Sequence, residues 1–250
     1  VIDYPHVGEV SAKGLLQNFD VEKYKDDLEL LKKQSVGLSH QSYNIDGHQW
    51  ALALDAATQV CCFRSDLITS LPKSWDELFV LAKNKRVIWP LKPVHAISSF
   101  YSIYNNITND FEPKDKNFVQ KDFGIQTLEM MKHISKYLID ECFTMDPIRT
   151  AEILSETDDF FYSPYTYGFS NYSRKGYRKN LLTYGNVFDL SNKGPHGTQL
   201  GGTGIAISNK SKQKELALEY SYWIAGSDCQ QTIFYSNGGQ PGNSVAWENN

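Results

Sequence analysis

No run of about 18 apolar residues occurs anywhere in this 250-residue chain, so nothing in it reads as a membrane span. Cationic excess is missing as well. With 25 Lys and Arg against 29 Asp and Glu, the formal net charge is -4, which argues against a nucleic-acid partner, since that requires a basic face. Cysteine is scarce: Cys61, Cys62, Cys142 and Cys229. None has Cys-x-x-Cys or Cys/His ligand spacing, which argues against structural zinc, and no metal site is expected. Cys61 and Cys62 lie in an apolar, strand-like run and read as buried thiols; a Cys142–Cys229 disulfide stays open. Nucleophile elbow, phosphate-binding glycine loop and metal motif are all missing, so no cofactor and no enzymatic activity is expected. Internal repeats and low-complexity linkers are absent too.

Aromatic residues, by contrast, are plentiful at 13%, with 15 Tyr and 5 Trp, more than core packing requires. Tyr and Trp join a flat apolar face to a polar tip, which suits a neutral polar ligand such as a sugar. The chain opens on Val1-Ile2-Asp3-Tyr4-Pro5-His6, which reads as the end of a buried strand running into a loop. The natural sequence is therefore expected to extend upstream, with any targeting segment outside the residues given. Ala246-Trp247-Glu248-Asn249-Asn250 reads as equally unfinished.

Along the chain, short strands alternate with helices, the pattern of an α/β fold. Val1–Asp3 reads as a strand, and Val21, Tyr24, Leu28 and Leu31 share one face of a helix over 21–33. Strands follow at 50–54 and 58–63. Ser74 and Glu77 have capping-box spacing and predict a helix from Ser74 to about Lys83. A strand at 86–89 stops at Pro90, and helices are expected near 94–106, 121–138 and 147–155. A strand at 159–163 is expected to break at Pro164. The stretch 164–197 is rich in Tyr, Asn, Ser and Gly without periodicity. The glycine-dense 197–204 then enters a strand at 204–207, a form of backbone that lets main chain approach a ligand or another segment closely. Ser211 is the expected cap of a helix to Ala225, a further helix spans 228–235, and Gly238-Gly239-Gln240-Pro241-Gly242 closes as a turn. The Lys/Asp run at 110–122 reads as solvated surface. Three Asn-x-Ser/Thr triplets, at Asn106, Asn171 and Asn209, match the glycosylation acceptor pattern.

Four segments carry a resemblance. They are Trp50 to Val60 followed by Phe63-Arg64-Ser65-Asp66-Leu67; Leu71-Pro72-Lys73-Ser74-Trp75-Asp76-Glu77-Leu78; Gly201-Gly202-Thr203-Gly204-Ile205-Ala206-Ile207-Ser208 with its following helix; and Asn237-Gly238-Gly239-Gln240-Pro241-Gly242. In order and spacing, over roughly 50–242, they resemble the extracellular solute-binding proteins of bacterial ABC importers, maltose-binding-protein-like family 1. The family's first strand, first helix and C-terminal helices have no counterpart, so the chain resembles a fragment lacking both ends. The resemblance implies a two-lobed, periplasmic-binding-protein-like (type II) α/β fold with a ligand cleft between the lobes, incomplete at both termini. Lobe one would hold 1–63 with 197–236, and lobe two 64–196 with 237–250. It further implies a periplasmic or extracellular monomer. That monomer would capture a small polar solute by hinge closure and deliver it to an ABC transporter membrane permease.

On this frame the candidate ligand-binding residues are Asp3, Tyr4 and His6, just past a strand end where open α/β sheets face their crevice. Asp55 and Gln59 follow: a carboxylate accepting two sugar hydroxyls is good geometry for a polyol. Trp89 offers a stacking face or a core residue, and His95 a donor or a cap at a helix N-terminus. Tyr165, Tyr167 and Tyr172 lie in a tyrosine-dense stretch expected to line the cleft or pack between lobes. Gly202 and Thr203 offer backbone amides, and Gln240 reaches from the closing loop. Two alternatives remain open: a ferric-ion or other metal-binding transport protein of the same fold using Tyr165, Tyr167 and His6, and a hydrolytic enzyme using His6, His95, Asp3 and Asp55. With no cluster of arginines at these positions, the solute is expected to be a sugar or related polyol.

Overall fold

The computed structural model describes residues 1–108 and 118–248; positions 110–117 of the Lys/Asp run lie outside the described residues. The chain divides into two units, Val1–Ala57 with Leu200–Asn250, and Thr58–Gln199. It passes between them at 57–58 and 199–200, not at the expected 63–64 and 196–197. The tail also belongs with the first unit rather than the second. Gly242 N–H donates to Leu54 O, Val36 N–H to Gly242 O and Ser244 N–H to Gln34 O, so 237–248 is held by unit 1 backbone.

Unit 1 is built on a three-stranded antiparallel sheet with Thr203–Ile205 between Ile2–Asp3 and Leu52–Ala53. Its register sets Asp3 opposite Thr203 and Gly204 opposite Ala53. The loop expected after Asp3 is instead a helix, Tyr4–Ala12. Pro5 occupies its first turn, where a backbone N–H has no intrahelical acceptor, so proline starts this helix rather than preventing it. A 3₁₀ turn, Glu22–Tyr24, leads into the helix Lys25–Lys33. The helix Lys214–Ala225 buries Leu218, Tyr222 and Ala225 against Phe19, Tyr24, Leu52 and Ile207. Tyr222 stacks on Tyr24 at 4.5 Å and donates its hydroxyl to Phe19 O at 2.8 Å, so a buried phenol is satisfied at both ends. Ser211 does not cap this helix; its Oγ accepts from Gln213 N–H, and Gln213, two residues later, holds the cap position.

Unit 2 centres on the strand Ala57–Phe63, whose first residue is the last of unit 1's opening segment, flanked antiparallel by Tyr162–Tyr167 and Thr183–Gly185. Pro164 does not break its strand. The register shifts between Val60 and Cys62, which pair with Thr166 and Ser163. Two residues, Pro164 and Tyr165, therefore oppose one, and a bulge is where a residue lacking N–H fits a ladder. The expected strand at 86–89 reduces to a single bridge, Val87 to Tyr162. Helices Trp75–Lys83, Pro93–Thr108, Lys121–Ser135 and Pro147–Glu156 follow the predicted positions. Ser74 Oγ accepts from Glu77 N–H and starts the first of them as its spacing required. The core gathers Cys61, Leu78, Ile88, Ile103, Ile134 and Leu154 around Trp89, Tyr162 and Tyr165.

Arg64, expected at a crossing between lobes, is instead inside unit 2, 2% exposed. It grips the Asp66 carboxylate at 2.6 and 2.7 Å and Asp158 at 3.0 Å, and donates to Leu154 O and Thr157 O at the end of the helix Pro147–Glu156. All four cysteines are buried free thiols, with Cys142 in unit 2 and Cys229 in unit 1, so the open disulfide is not formed.

Candidate functional site

The unit 1 sheet ends in a polar cluster. Leu54 and Asp55 N–H both point at Thr203 O, while Thr203 N–H and Oγ1 both donate to Asp55 Oδ1, the latter at 3.0 Å. Gly202, at φ +106°, makes this possible: a Cβ there would lie 2.7 Å from Asp55 O. Asp3 sits across the strand from Thr203, exposed, at the start of the helix Tyr4–Ala12, and its side chain makes no capping hydrogen bond. Half-buried Tyr4 and exposed His6 follow on that helix. The closing loop joins the same cluster, because Asp55 bridges Pro241 and Gln240 Nε2 donates to Ala56 O at 3.2 Å. Thus Asp3, Tyr4, Asp55, Gly202, Thr203 and Gln240, far apart in sequence, meet at one end of one sheet.

Sequence reasoning missed one member. Tyr43, 2% exposed, sets its hydroxyl 3.4 Å from both Ile2 O and Gly202 O. Its ring occupies the space a Cβ on Gly204 would need, 2.8 Å from Tyr43 Cζ. Only the missing side chain of Gly204 signals this from sequence. Burial raises the Tyr43 pKa, helped by the nearby charges of Asp55 and Asp3. Burial likewise raises that of Asp55; the two Thr203 donors oppose the shift, and the charge of Asp3 adds to it. Two carboxylates and backbone carbonyls make this an acceptor-rich surface, suited to donors such as hydroxyl groups.

Unit 2 divides the remaining candidates. His95 lies in the first turn of the helix Pro93–Thr108, half-buried, and its Nδ1 has no hydrogen-bond partner among the described residues. Its ring lies 6.4 Å from that of Tyr167, edge to face. Burial lowers the His95 pKa, with Asp146 opposing and Lys92 assisting. Both residues are half-buried rather than enclosed. Four others are enclosed. Trp89 and Tyr165 are 0% exposed, their rings stacked at 5.8 Å inside the core. Trp89 is therefore a core residue rather than a stacking platform, and Tyr165 is inaccessible to a solute or a ferric ion. Tyr172 is 3% exposed and donates to Glu152 Oε1 at 2.5 Å, beside the Glu152–Arg178 pair. Gln59, 1% exposed, is bound to Ser99 and Ser102. Each is removed from the candidate surface because its polar atom is engaged, or its ring enclosed, inside unit 2. Among the described residues no group of three or more His, Cys, Asp and Glu is placed to hold a metal ion.

No protein-family model and no curated protein matches the sequence. Solved structures do match its fold, which is that of the two-lobed, type II periplasmic-binding-protein-like α/β proteins. The chain is similar to maltose-bound MalE3 of T. maritima, at 17% identity and TM-score 0.79, over 99% of this chain and 67% of that one. It is similar to an ABC transporter solute-binding protein from Agrobacterium vitis S4 with bound D-mannitol, at 16% identity and TM-score 0.76, over 99% and 64%. A third is the ABC transporter solute-binding protein of Agrobacterium radiobacter K84 in complex with ribitol, at 17% identity and TM-score 0.79, over 97% and 66%. The chain thus spans 64 to 67% of the length of these neighbours.

Proposed function

We propose that this chain belongs to the substrate-binding component of an ABC importer, capturing a small neutral polyhydroxy solute, a sugar or polyol, and delivering it to a membrane permease. The observation that carries this reading is the fold. Over 97 to 99% of its length the chain follows proteins bound to maltose, D-mannitol and ribitol, three neutral molecules rich in hydroxyl donors. The acceptor-rich end of the unit 1 sheet supports it: the carboxylates of Asp3 and Asp55 complement hydroxyl groups. In unit 2, His95 and Tyr167 are the candidates for ligand contact. A periplasmic or extracellular location and a binding rather than catalytic role follow from the same reading.

The test is thermal unfolding of the chain with maltose, D-mannitol and ribitol at millimolar concentration, alongside sugar acids and dicarboxylates. At a ligand concentration 100 times the Kd, binding to the native state alone adds about 2.7 kcal/mol, a readily measured rise in Tm. A rise with at least one neutral polyol, and recovery of that polyol unchanged, is expected. A rise with dianions alone, or conversion of the polyol, would sink the proposal.

A further inference from the structure

The loop 240–244 of unit 1 is stitched along both sides. On one side it meets the end of the sheet. Ala56 N–H donates to Gln240 O at 3.3 Å, Gln240 Nε2 to Ala56 O at 3.2 Å and Gly242 N–H to Leu54 O at 3.1 Å, and Pro241 bridges Asp55. The approach is close: a Cβ on Gly242 would lie 3.2 Å from Leu54 C. On the other side the loop meets the turn after the helix Lys25–Lys33. Val36 N–H donates to Gly242 O at 3.1 Å, Ser244 N–H to Gln34 O at 2.7 Å and Asn243 Nδ2 to Gln34 Oε1 at 3.0 Å. His40 closes this second seam. Its N–H donates to Ser35 Oγ at 3.0 Å and its carbonyl accepts from Gln49 Nε2 at 2.8 Å, so its backbone is fixed. Its ring is bonded to no group among the described residues. The side chain is buried against a small cavity whose walls include Gln34, Ser35, Gly242 and Asn243.

A neutral imidazole is tolerated in such a place, but an imidazolium is not, because a buried charge needs a partner. The charged groups acting on the ring are Lys32, which disfavours the proton, and Glu29, which favours it. Both are exposed on the helix Lys25–Lys33 and lie 4.0 Å from each other. The remaining walls of the cavity, Leu31, Gln34, Ser35, Ala53, Ala225 and residues 242–243, carry no charge. We propose that His40 is an acid-sensitive latch on the loop 240–244: protonation of its ring opens the seam with 34–36, frees the loop from the sheet end and weakens solute capture at Asp55. The capture half of this rests on the proposed binding role. The route is short, since Gly242 is bonded to both Val36 and Leu54, and its neighbour Pro241 pairs with Asp55. Burial lowers the His40 pKa from 6.5 to about 4, so the opened seam binds the proton more tightly than the closed one. The closed seam is fully favoured above pH 6.5 and loses ground as pH falls toward about 4, by a factor of about 300 over the whole range.

The latch is read on the chain without solute. NMR follows the His40 ring and the amides of Val36, Gly242 and Ser244 through one titration from pH 7 to 4, and hydrogen exchange gives the protection of those amides after correction for the intrinsic rate. Their protection is expected to fall about 100-fold, with the midpoint of the ring. Asn209 N–H, bonded to Leu15 O elsewhere in unit 1, is expected to keep its protection. In His40→Gln the seam amides should hold theirs as well. Seam amides that do not respond, that follow a midpoint other than the ring's, or that fall together with Asn209 overturn the latch, and these outcomes need only the parent chain. Calorimetry with a polyol that binds then compares parent and His40→Gln between pH 6.5 and 4. Asp55 titrates in both, so an extra loss of affinity in the parent, about tenfold, belongs to His40. Equal losses overturn the coupling to capture. Failure of maltose, D-mannitol and ribitol to bind at pH 7 would sink the functional reading, while the seam amides would still decide the latch.

Discussion

The amide and the hydroxyl of Thr203 both donate to a single oxygen of Asp55, 148 positions earlier in the chain. This pairing fixes the end of the unit 1 sheet and has a consequence that depends on the substitution chosen. Asp55→Ala leaves both donors without their acceptor and is expected to cost about 1–3 kcal/mol. Asp55→Asn keeps an acceptor oxygen. Burial raises the Asp55 pKa, so ionising it in the folded state opposes stability as pH rises above the ordinary carboxylate range. At pH 7 the asparagine variant should therefore match or exceed the parent in urea unfolding while binding a polyol less well. Equal losses for both variants would refute the pairing as the source.

Gly202→Ala places a Cβ 2.7 Å from Asp55 O at a φ of +106°, where L-residues are strained. The strain alone is worth roughly 1–3 kcal/mol. Unit 1 should melt earlier, and hydrogen exchange should quicken at Thr203 before it quickens in the unit 2 strand Ala57–Phe63. Uniform acceleration across both units would contradict this assignment.

His40 in unit 1 is buried, 7% exposed, and burial lowers its pKa from 6.5 to about 4. The unfolded chain then binds the proton more readily than the folded one. Stability is full above pH 6.5 and falls as pH drops toward about 4, by roughly 3 kcal/mol in all. Urea midpoints of the parent and of His40→Gln across that range should diverge, the parent falling more steeply. Parallel curves would show that His40 is not the titrating group.

Arg64 is the most heavily bonded charged side chain among the described residues of unit 2, and its fork serves two carboxylates and two carbonyls. Asp66 and Asp158 remain largely exposed, so they recover hydration when Arg64 is lost; Leu154 O and Thr157 O do not recover it as easily. Arg64→Lys keeps the charge but not the planar fork. A loss of about 2–3 kcal/mol is expected, close to that of Arg64→Met. If lysine restored full stability in chemical denaturation, charge rather than geometry would be what Arg64 supplies.

The thiols give a simple check of the fold. Cys61, Cys62, Cys142 and Cys229 are buried and free, and burial pushes the Cys61 pKa up to about 11. Thiolate is the reactive form, so the native protein should be nearly inert to a disulfide reagent and should react fully once unfolded. Rapid labelling of Cys61 or Cys62 in the native state would mean that the unit 2 sheet is open.

Local signals carried much of the architecture. Ser74 with Glu77 began a helix because its spacing closes a hydrogen bond within one turn, and the α/β alternation followed from apolar periodicity. Pro5 and Pro164 misled for the same reason: proline's effect depends on whether its missing N–H was needed, and that is set by a helix start in one case and a bulge in the other. Tyrosine density misled differently. Tyr165 and Tyr172 looked too polar for a core, yet Tyr172 meets Glu152, 20 positions away, and Tyr165 stacks on Trp89.

By itself, then, the sequence determined the start of the helix Trp75–Lys83, the strand ending at Phe63, the burial of Cys61 and Cys62, and that Asp55, Gly202 and Thr203 merit scrutiny. Those properties depend on neighbours within a turn or on the face a strand presents. Only the tertiary structure decided that Asp3, Asp55, Thr203 and Gln240 share one sheet end, that Trp89, Tyr165, Tyr172 and Gln59 are enclosed, and that Ser102 holds both Gln59 and Gln199. A hydrogen bond between residues nearly a hundred positions apart leaves no periodic mark on either one. Its existence depends on how the chain brings distant strands and helices together.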